Sequence, residues 1–152
     1  MNSQNDVSYR KKLAEGFLNE ATQDFDLQRF RSCVDNSQLS IENSVKAVLA
    51  YFGPVPWTHS PSANLTELIN TQEFEDEIKT LIEELRDLSL SYGLREHFLT
   101  DYGDEEQRLS PWEIFSLEEA KLALETAKMC FTLLNEILVK LNQRSNETQE
   151  KT

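Results

Sequence analysis

The feature that most constrains the fold is a row of mostly apolar residues that keeps a helical spacing over residues 30–52. Steps of three or four residues, held for about six helical turns, separate its members: Phe30, Val34, Ser37, Ile41, Val45, Val48 and Phe52. Such steps place every member on one face of an α-helix. The row predicts a helix over about Leu27–Phe52, and because this is the longest row we expect the helix at the centre of the fold. Gly53 fits a left-handed helix cap, and Pro54 forbids continuation.

Further segments repeat this periodicity. They predict helices over about Ser8–Asp26, Asn64–Asn70, Glu73–Leu94 and Leu117 to residue 143. Capping-box spacing at Ser110–Glu113 predicts one more short helix, and the same spacing at Ser116–Glu119 opens the last helix. Between Tyr92 and that short helix we expect a polar, acidic loop over about Thr100–Arg108. Because no segment alternates as a strand does, the sequence predicts an all-α fold: an up-and-down antiparallel bundle of four long helices plus one or two short helices.

Length and charge bound the class of protein. The 152 residues predict a single domain over 1–152, with a flexible polar tail from about residue 143. A net charge of −12 repels nucleic-acid backbones and anionic membranes, so we expect neither DNA nor RNA backbone binding and no membrane contact. Without a secretory signal or an apolar run of about 18 residues, the sequence predicts a cytoplasmic location. Cys33 and Cys130 lie in separate apolar stretches, which predicts buried, reduced thiols.

Three short blocks, in this order, resemble the HEPN family, a group of small all-helical domains. Ile41–Leu49 is similar to the family's Glu-x-x-x-Lys-Ala stretch on its second helix, and Pro56–His59 is similar to its Thr-His before a short Leu-rich helix. Asp101–Asp104 resembles the Arg-Tyr-Pro-Asp loop before the last helix, although Asp and Gly stand where Arg and Pro are usual. The resemblance extends over about residues 13–141 and implies the same helical bundle.

The ribonuclease members of that family carry an Arg followed four to six residues later by a His. Residues 51–55, before His59, contain no Arg, and Arg95 precedes His97 by only two residues. Residues two apart on a helix do not face one another. The sequence therefore indicates a member without the ribonuclease motif, and we assign no catalytic residue.

The candidate ligand-binding residues are Lys46, His59, Arg95, His97, Tyr102 and Asp104, and the resemblance implies that His59 lies near a cleft. Each has a simpler alternative. Lys46 follows Glu42 by four residues, so the two either form an intrahelical pair worth about 0.3–0.5 kcal/mol or Lys46 points into a cleft and holds a phosphate or a partner carboxylate. His59 is also explained as a structural histidine bonded to backbone.

The candidates of the third block have simpler explanations as well. Cations such as Arg95 and His97 complement the dipole at a helix end, and Tyr102 either stacks on a base or plugs the end of the bundle. The acidic loop around Asp104 lacks the calcium-loop spacing, so we assign no metal site. Trp57 and Trp112 lie in Pro-containing connectors, where they either mark an interface or fill core under a loop.

By this resemblance the chain is a non-catalytic helical binding domain. It would engage a nucleotide such as ATP, a partner nucleotidyltransferase or both, as a homodimer and in a toxin–antitoxin type of system. Two alternatives remain open. One is a divergent HEPN ribonuclease toxin that uses Arg95, His97 and Tyr102, and the other is an acidic oligomerising scaffold for a basic partner protein.

Overall fold

A computed structural model describes residues 3–92 and 99–151. Its helices, in chain order, are α1 (Ser3–Asp26), α2 (Phe30–Phe52), α3 (Ser62–Thr71), α4 (Asp76–Leu90), α5 (Pro111–Ile114) and α6 (Leu117–Glu150). Residues 99–102 are also helical, and an isolated antiparallel bridge joins Asp104 to Leu109. The described ranges contain no strand, and the predicted all-α helical bundle is confirmed.

Helix α2 is the central element, as its long apolar row predicted. It packs most extensively against α1 and α6 and also contacts α3, α4 and α5. Every residue from Ser40 to Ala50 is buried, so this part of the helix is enclosed on all sides rather than along one stripe. The enclosure takes polar side chains into the interior together with the apolar ones, because a helix without an exposed face cannot direct them to water.

The structure of helix α2 differs from the prediction at both of its ends. The helix begins at Phe30 rather than Leu27, because Gln28 adopts a left-handed conformation (φ 59°) that separates α1 from α2. Gly53 does not form the left-handed cap that we expected. Its φ of 165° is extended backbone, and its N–H still donates to the Leu49 carbonyl at 3.2 Å.

Other boundaries also shift. Helix α4 covers Asp76–Leu90 within the predicted Glu73–Leu94, and residues 93–98 lie outside the described part of the chain. Helix α6 runs on to Glu150, beyond its predicted end at about residue 143, and the residues after Leu141 are exposed. The flexibility of this tail stays a prediction. The predicted loop over 100–108 is partly helical and then closes as a turn, in which Gly103 has φ 74° and a Cβ there would overlap the Leu109 carbonyl oxygen.

Both predicted capping boxes are present. The Glu113 carboxylate accepts from the Ser110 N–H at 2.8 Å, and the Glu119 carboxylate accepts from the Ser116 N–H at 3.0 Å. These hydrogen bonds favour the ionised carboxylate. Bonds from the Ser110 backbone and hydroxyl lower the pKa of Glu113, and the Ser116 side chain is the main cause of a lowered pKa at Glu119.

The two thiols are buried and unpaired with each other, as predicted. Burial raises the pKa of Cys33 to about 11 and that of Cys130 to about 12, because an apolar interior disfavours the thiolate. Within residues 3–92 and 99–151, no helix has the length and apolar character needed to cross a bilayer.

Candidate functional site

A row of three polar side chains lies inside the bundle on α2. Gln38, Glu42 and Lys46 follow one another at four-residue spacing, and their exposed fractions are 1%, 6% and 7%. Lys46 Nζ donates to Glu42 Oε1 at 2.7 Å, and Gln38 Nε2 donates to Glu42 Oε2 at 3.3 Å. The Glu42–Lys46 pair suggested by the spacing is therefore present. It lies in the interior, so the small energy of a surface pair does not apply to it.

The loop after α2 brings His59 to the same carboxylate. His59 Nδ1 lies 3.2 Å from Glu42 Oε2, and about half of the His59 side chain is exposed. Pro54, Pro56 and Pro61 restrict the backbone of this loop, since each fixes its own φ and the conformation of the residue before it. The Thr-His block of the loop and the Glu-x-x-x-Lys block of α2 thus meet at Glu42.

Lys46 also lines an open crevice of about 420 Å³ between α1 and this loop. Arg10 of α1 also lines it, and its Nη1 donates to Asn43 Oδ1 at 3.3 Å. Trp57, Thr58 and His59 line the mouth, and Trp57 is fully exposed. Lys46 therefore pairs with Glu42 within the helix and also lines a cleft. Binding of a phosphate or a partner carboxylate by Lys46 stays a prediction.

The crevice is locally cationic in a strongly acidic protein. Arg10 and Lys46 carry two positive charges. The Glu42 carboxylate already accepts hydrogen bonds from Lys46 and Gln38. Glu42 is buried behind Lys46, whereas Lys46 and Arg10 line the open space. An anion entering the crevice therefore meets cations at short range. Because the Lys46 side chain is more than nine-tenths buried, its charge is screened less than a charge on the surface.

The remaining candidates are not brought to this crevice. Tyr102 and Asp104 follow Thr100, whose carbonyl oxygen accepts from Arg31 Nε at 2.6 Å near the start of α2. Arg31 precedes Lys46 by 15 residues on one helix, which is about 22 Å along its axis. Asp104 Oδ1 accepts from the Gln107 N–H at 3.0 Å and so closes a turn.

Tyr102 is 65% exposed, so its ring does not plug the end of the bundle. The candidates Arg95 and His97 lie outside the described residues. No group of three or more His, Cys, Asp or Glu side chains is arranged to hold a metal ion within residues 3–92 and 99–151.

The two tryptophans do not fill core under their loops. Trp57 is fully exposed at the crevice, and Trp112 is 73% exposed with the Arg31 guanidinium 5.7 Å from its ring centroid. The core-filling alternative is therefore wrong for both residues.

Sequence reasoning missed Arg10, Gln38 and Asn43. The sequence shows that Gln38 and Glu42 are four residues apart, but the spacing of a polar pair on a helix does not indicate whether the pair is buried. Arg10 had no signal, since it joins the site only through the packing of α1 on α2.

The fold and this crevice define a small all-α domain with a buried ionic cluster beside a cationic cleft. The HEPN domain model matches residues 7–137. The chain therefore belongs to the HEPN domain family, as its three short blocks indicated.

A similar solved structure is the crystal structure of TT1696 from Thermus thermophilus. It is 19% identical, with a TM-score of 0.66 over 88% of this chain and 98% of that chain. At this identity the likeness supports the fold alone. No curated protein matches this sequence significantly.

Proposed function

We propose that this HEPN protein is a non-catalytic binding domain whose crevice holds the phosphate of a nucleotide such as ATP. The observation that carries the proposal is the position of Lys46. Its side chain is more than nine-tenths buried, lines the open crevice and is held 2.7 Å from a buried carboxylate.

The geometry of Lys46 favours binding of an anion. An ammonium has three hydrogens to donate, and within residues 3–92 and 99–151 the hydrogen bond formed by Lys46 is the one to Glu42. Glu42 holds the long Lys46 side chain in one conformation before any ligand arrives. The ligand then meets an ordered cation, so less conformational entropy is lost on binding.

Arg10 supplies a second and different donor group. Its guanidinium is planar and suits two oxygens of one phosphate, whereas Lys46 acts as a point charge. Arg10 comes from α1 and Lys46 from α2, so the crevice offers a ligand donors from two helices. Such convergence favours a group with several acceptor oxygens.

We also propose that the protein forms a homodimer and engages a partner nucleotidyltransferase, in a toxin–antitoxin type of system. Family membership supports these proposals. Helix α6 also exposes three apolar side chains, since Leu122, Met129 and Val139 are 61%, 48% and 55% exposed. Sedimentation of the purified chain tests the homodimer: a monomer at every concentration would contradict it, and a dimer unaffected by Val139→Lys would show that Val139 does not lie in the interface.

Isothermal titration tests the nucleotide site. We would titrate ATP, AMP and inorganic phosphate into the wild type, into Arg10→Gln and into Glu42→Gln/Lys46→Met. The double variant removes both buried charges together, so it does not leave an isolated carboxylate in the interior. Lys79→Gln is the control, because Lys79 is a half-exposed lysine of α4 whose ion pair with Glu83 spans 4.0 Å.

We expect the two crevice variants to bind nucleotide at least about tenfold more weakly, because a hydrogen bond to a charged group is worth about 1.5–3 kcal/mol. The Lys79 variant should match the wild type. No heat at millimolar nucleotide, or equal affinity in the double variant, would remove the proposal.

A further inference from the structure

A second, larger chamber adjoins the crevice of Lys46. It measures about 690 Å³ and lies between the first turns of α1 and the end of α2, with Tyr9, Ala50 and Pro54 among its walls. We call it the Tyr9 chamber. Arg10 and Val55 line both the Tyr9 chamber and the crevice, so the two spaces meet at these residues.

The Tyr9 chamber differs from the crevice in chemistry. Its walls include the Tyr9 ring and the apolar side chains of Ala50, Pro54 and Val55, and the Arg10 guanidinium lies 5.6 Å from the centroid of the Tyr9 ring. Aromatic and apolar walls of this kind suit an uncharged, flat group.

The charge of the Tyr9 chamber also selects among ligands. Asp6 is the carboxylate in its wall, and Arg10 is the cation at the junction with the crevice. A carboxylate repels a second anionic group and accepts hydrogen bonds from N–H donors. An uncharged group that carries N–H donors on its edge therefore suits the chamber better than a second anionic group.

We propose that the Tyr9 chamber binds the base of the nucleotide whose phosphate lies in the crevice, and that it prefers a base with an exocyclic amino group. The inference rests on the proposed function, because the phosphate in the crevice fixes one end of the ligand. Arg10 lies at the junction of the two spaces, where it contacts the phosphate on one side and the base on the other.

Trp57 offers a competing place for the base. It is fully exposed at the mouth of the crevice, so a base stacked on it would bury one face and leave the other in water. The Tyr9 chamber has walls from both α1 and the end of α2, so a base there contacts more than one apolar surface and removes more apolar area from solvent. The experiment must separate these two positions.

Gly53 allows the Tyr9 chamber to be filled without strain. It lines the chamber, a Cβ built on it meets nothing within 4 Å, and its φ of 165° is extended backbone that a branched residue adopts readily. The test variant is Gly53→Val. Gly16→Val is the matched control, because a Cβ at Gly16 on the exposed part of α1 also meets nothing within 4 Å. Circular dichroism and the melting temperature check that both variants fold.

The ligands are AMP, purine riboside 5′-monophosphate and ribose 5-phosphate, titrated by calorimetry. Purine riboside 5′-monophosphate is AMP without the amino group, and ribose 5-phosphate has no base. In the wild type we expect AMP to bind at least about tenfold tighter than ribose 5-phosphate, which corresponds to about 1.4 kcal/mol. Gly53→Val should abolish that advantage and leave ribose 5-phosphate unchanged. Asp6→Asn should reduce the preference for AMP over purine riboside 5′-monophosphate, and Trp57→Ala should leave the AMP advantage in place.

Each outcome separates the two proposals. If none of the phosphates binds, the proposed function fails and the base chamber fails with it. If ribose 5-phosphate binds and AMP binds no tighter, or Gly53→Val keeps the AMP advantage, the base chamber alone is wrong. Loss of the AMP advantage in Trp57→Ala with retention in Gly53→Val would place the base on Trp57 instead.

Discussion

The buried pair of Glu42 and Lys46 yields a sharp prediction for stability. Replacing Lys46 with Met keeps most of the volume of the side chain but removes the ammonium from Glu42 Oε1. The carboxylate stays in the interior at 6% exposure. Its other oxygen keeps two longer contacts, 3.3 Å to Gln38 and 3.2 Å to His59.

The magnitude follows from those remaining contacts. Removing one partner of a buried ion pair costs about 3–5 kcal/mol, because an uncompensated charge is left in the interior. Since Gln38 and His59 still contact one oxygen of Glu42, we expect the lower end, about 3 kcal/mol. At about 2–4 °C per kcal/mol for a chain of this size, the melting temperature should fall by roughly 6–12 °C. Glu42→Gln/Lys46→Met removes both charges and should lie within about 1 kcal/mol of the wild type.

Urea unfolding followed by far-UV circular dichroism measures these differences, and thermal melts repeat them independently. Lys79→Met is the control, because an exposed lysine with a 4.0 Å ion pair should change stability by less than about 0.5 kcal/mol. A loss below about 1 kcal/mol in Lys46→Met would refute the reasoning. An equal loss in the single and double variants would refute it too, since it would show that packing and not charge controls the effect.

Three further predictions use other parts of the molecule. Gly103→Ala should lower the free energy of unfolding, measured in urea, by about 2 kcal/mol or more, since φ is positive and the new Cβ overlaps the Leu109 carbonyl oxygen. Gly16→Ala, on the open surface of α1, should raise it by about 0.5–1 kcal/mol. Similar effects at the two glycines would contradict this prediction. The thiols, with pKa values raised to about 11 and 12, should react with a thiol reagent at pH 8 only after unfolding, and stoichiometric labelling of the native protein would argue against their burial. Purified protein should leave total RNA intact with or without Mg²⁺. Cleavage of RNA that His97→Ala abolishes would show that the chain is a ribonuclease rather than a non-catalytic binding domain.

Much of the fold was predictable because its signals are local. Helical periodicity and capping boxes act within a few turns of chain, so the segments α1 to α6 and their order could be read directly from residue spacing. The exceptions lie where one residue's backbone decides a boundary. Gln28 is left-handed although that conformation is uncommon for residues other than Gly, and Gly53 is extended although Gly would allow the left-handed cap. Neither conformation follows from residue type, because the packing of the neighbouring elements selects it.

The candidate site was predictable only in part. Family likeness pointed to Lys46 and His59, which the structure brings to the same carboxylate, but it also pointed to Tyr102 and Asp104, which lie toward the other end of α2. Motif order along a chain does not measure distance in space. In a bundle, blocks far apart in sequence can meet at either end of a long helix.

The sequence by itself determined which segments are helical, where two of them are capped and that the surface is acidic, because these properties depend on neighbours along the chain. Tertiary structure alone decided that Glu42 and Lys46 are interior, that Arg10 faces them from another helix and that open space lies between. Burial is set by what packs against a residue, and the spacing of a polar pair is identical whether water or another helix lies beside it. A cationic crevice in a protein of net charge −12 is therefore a product of packing, not of composition.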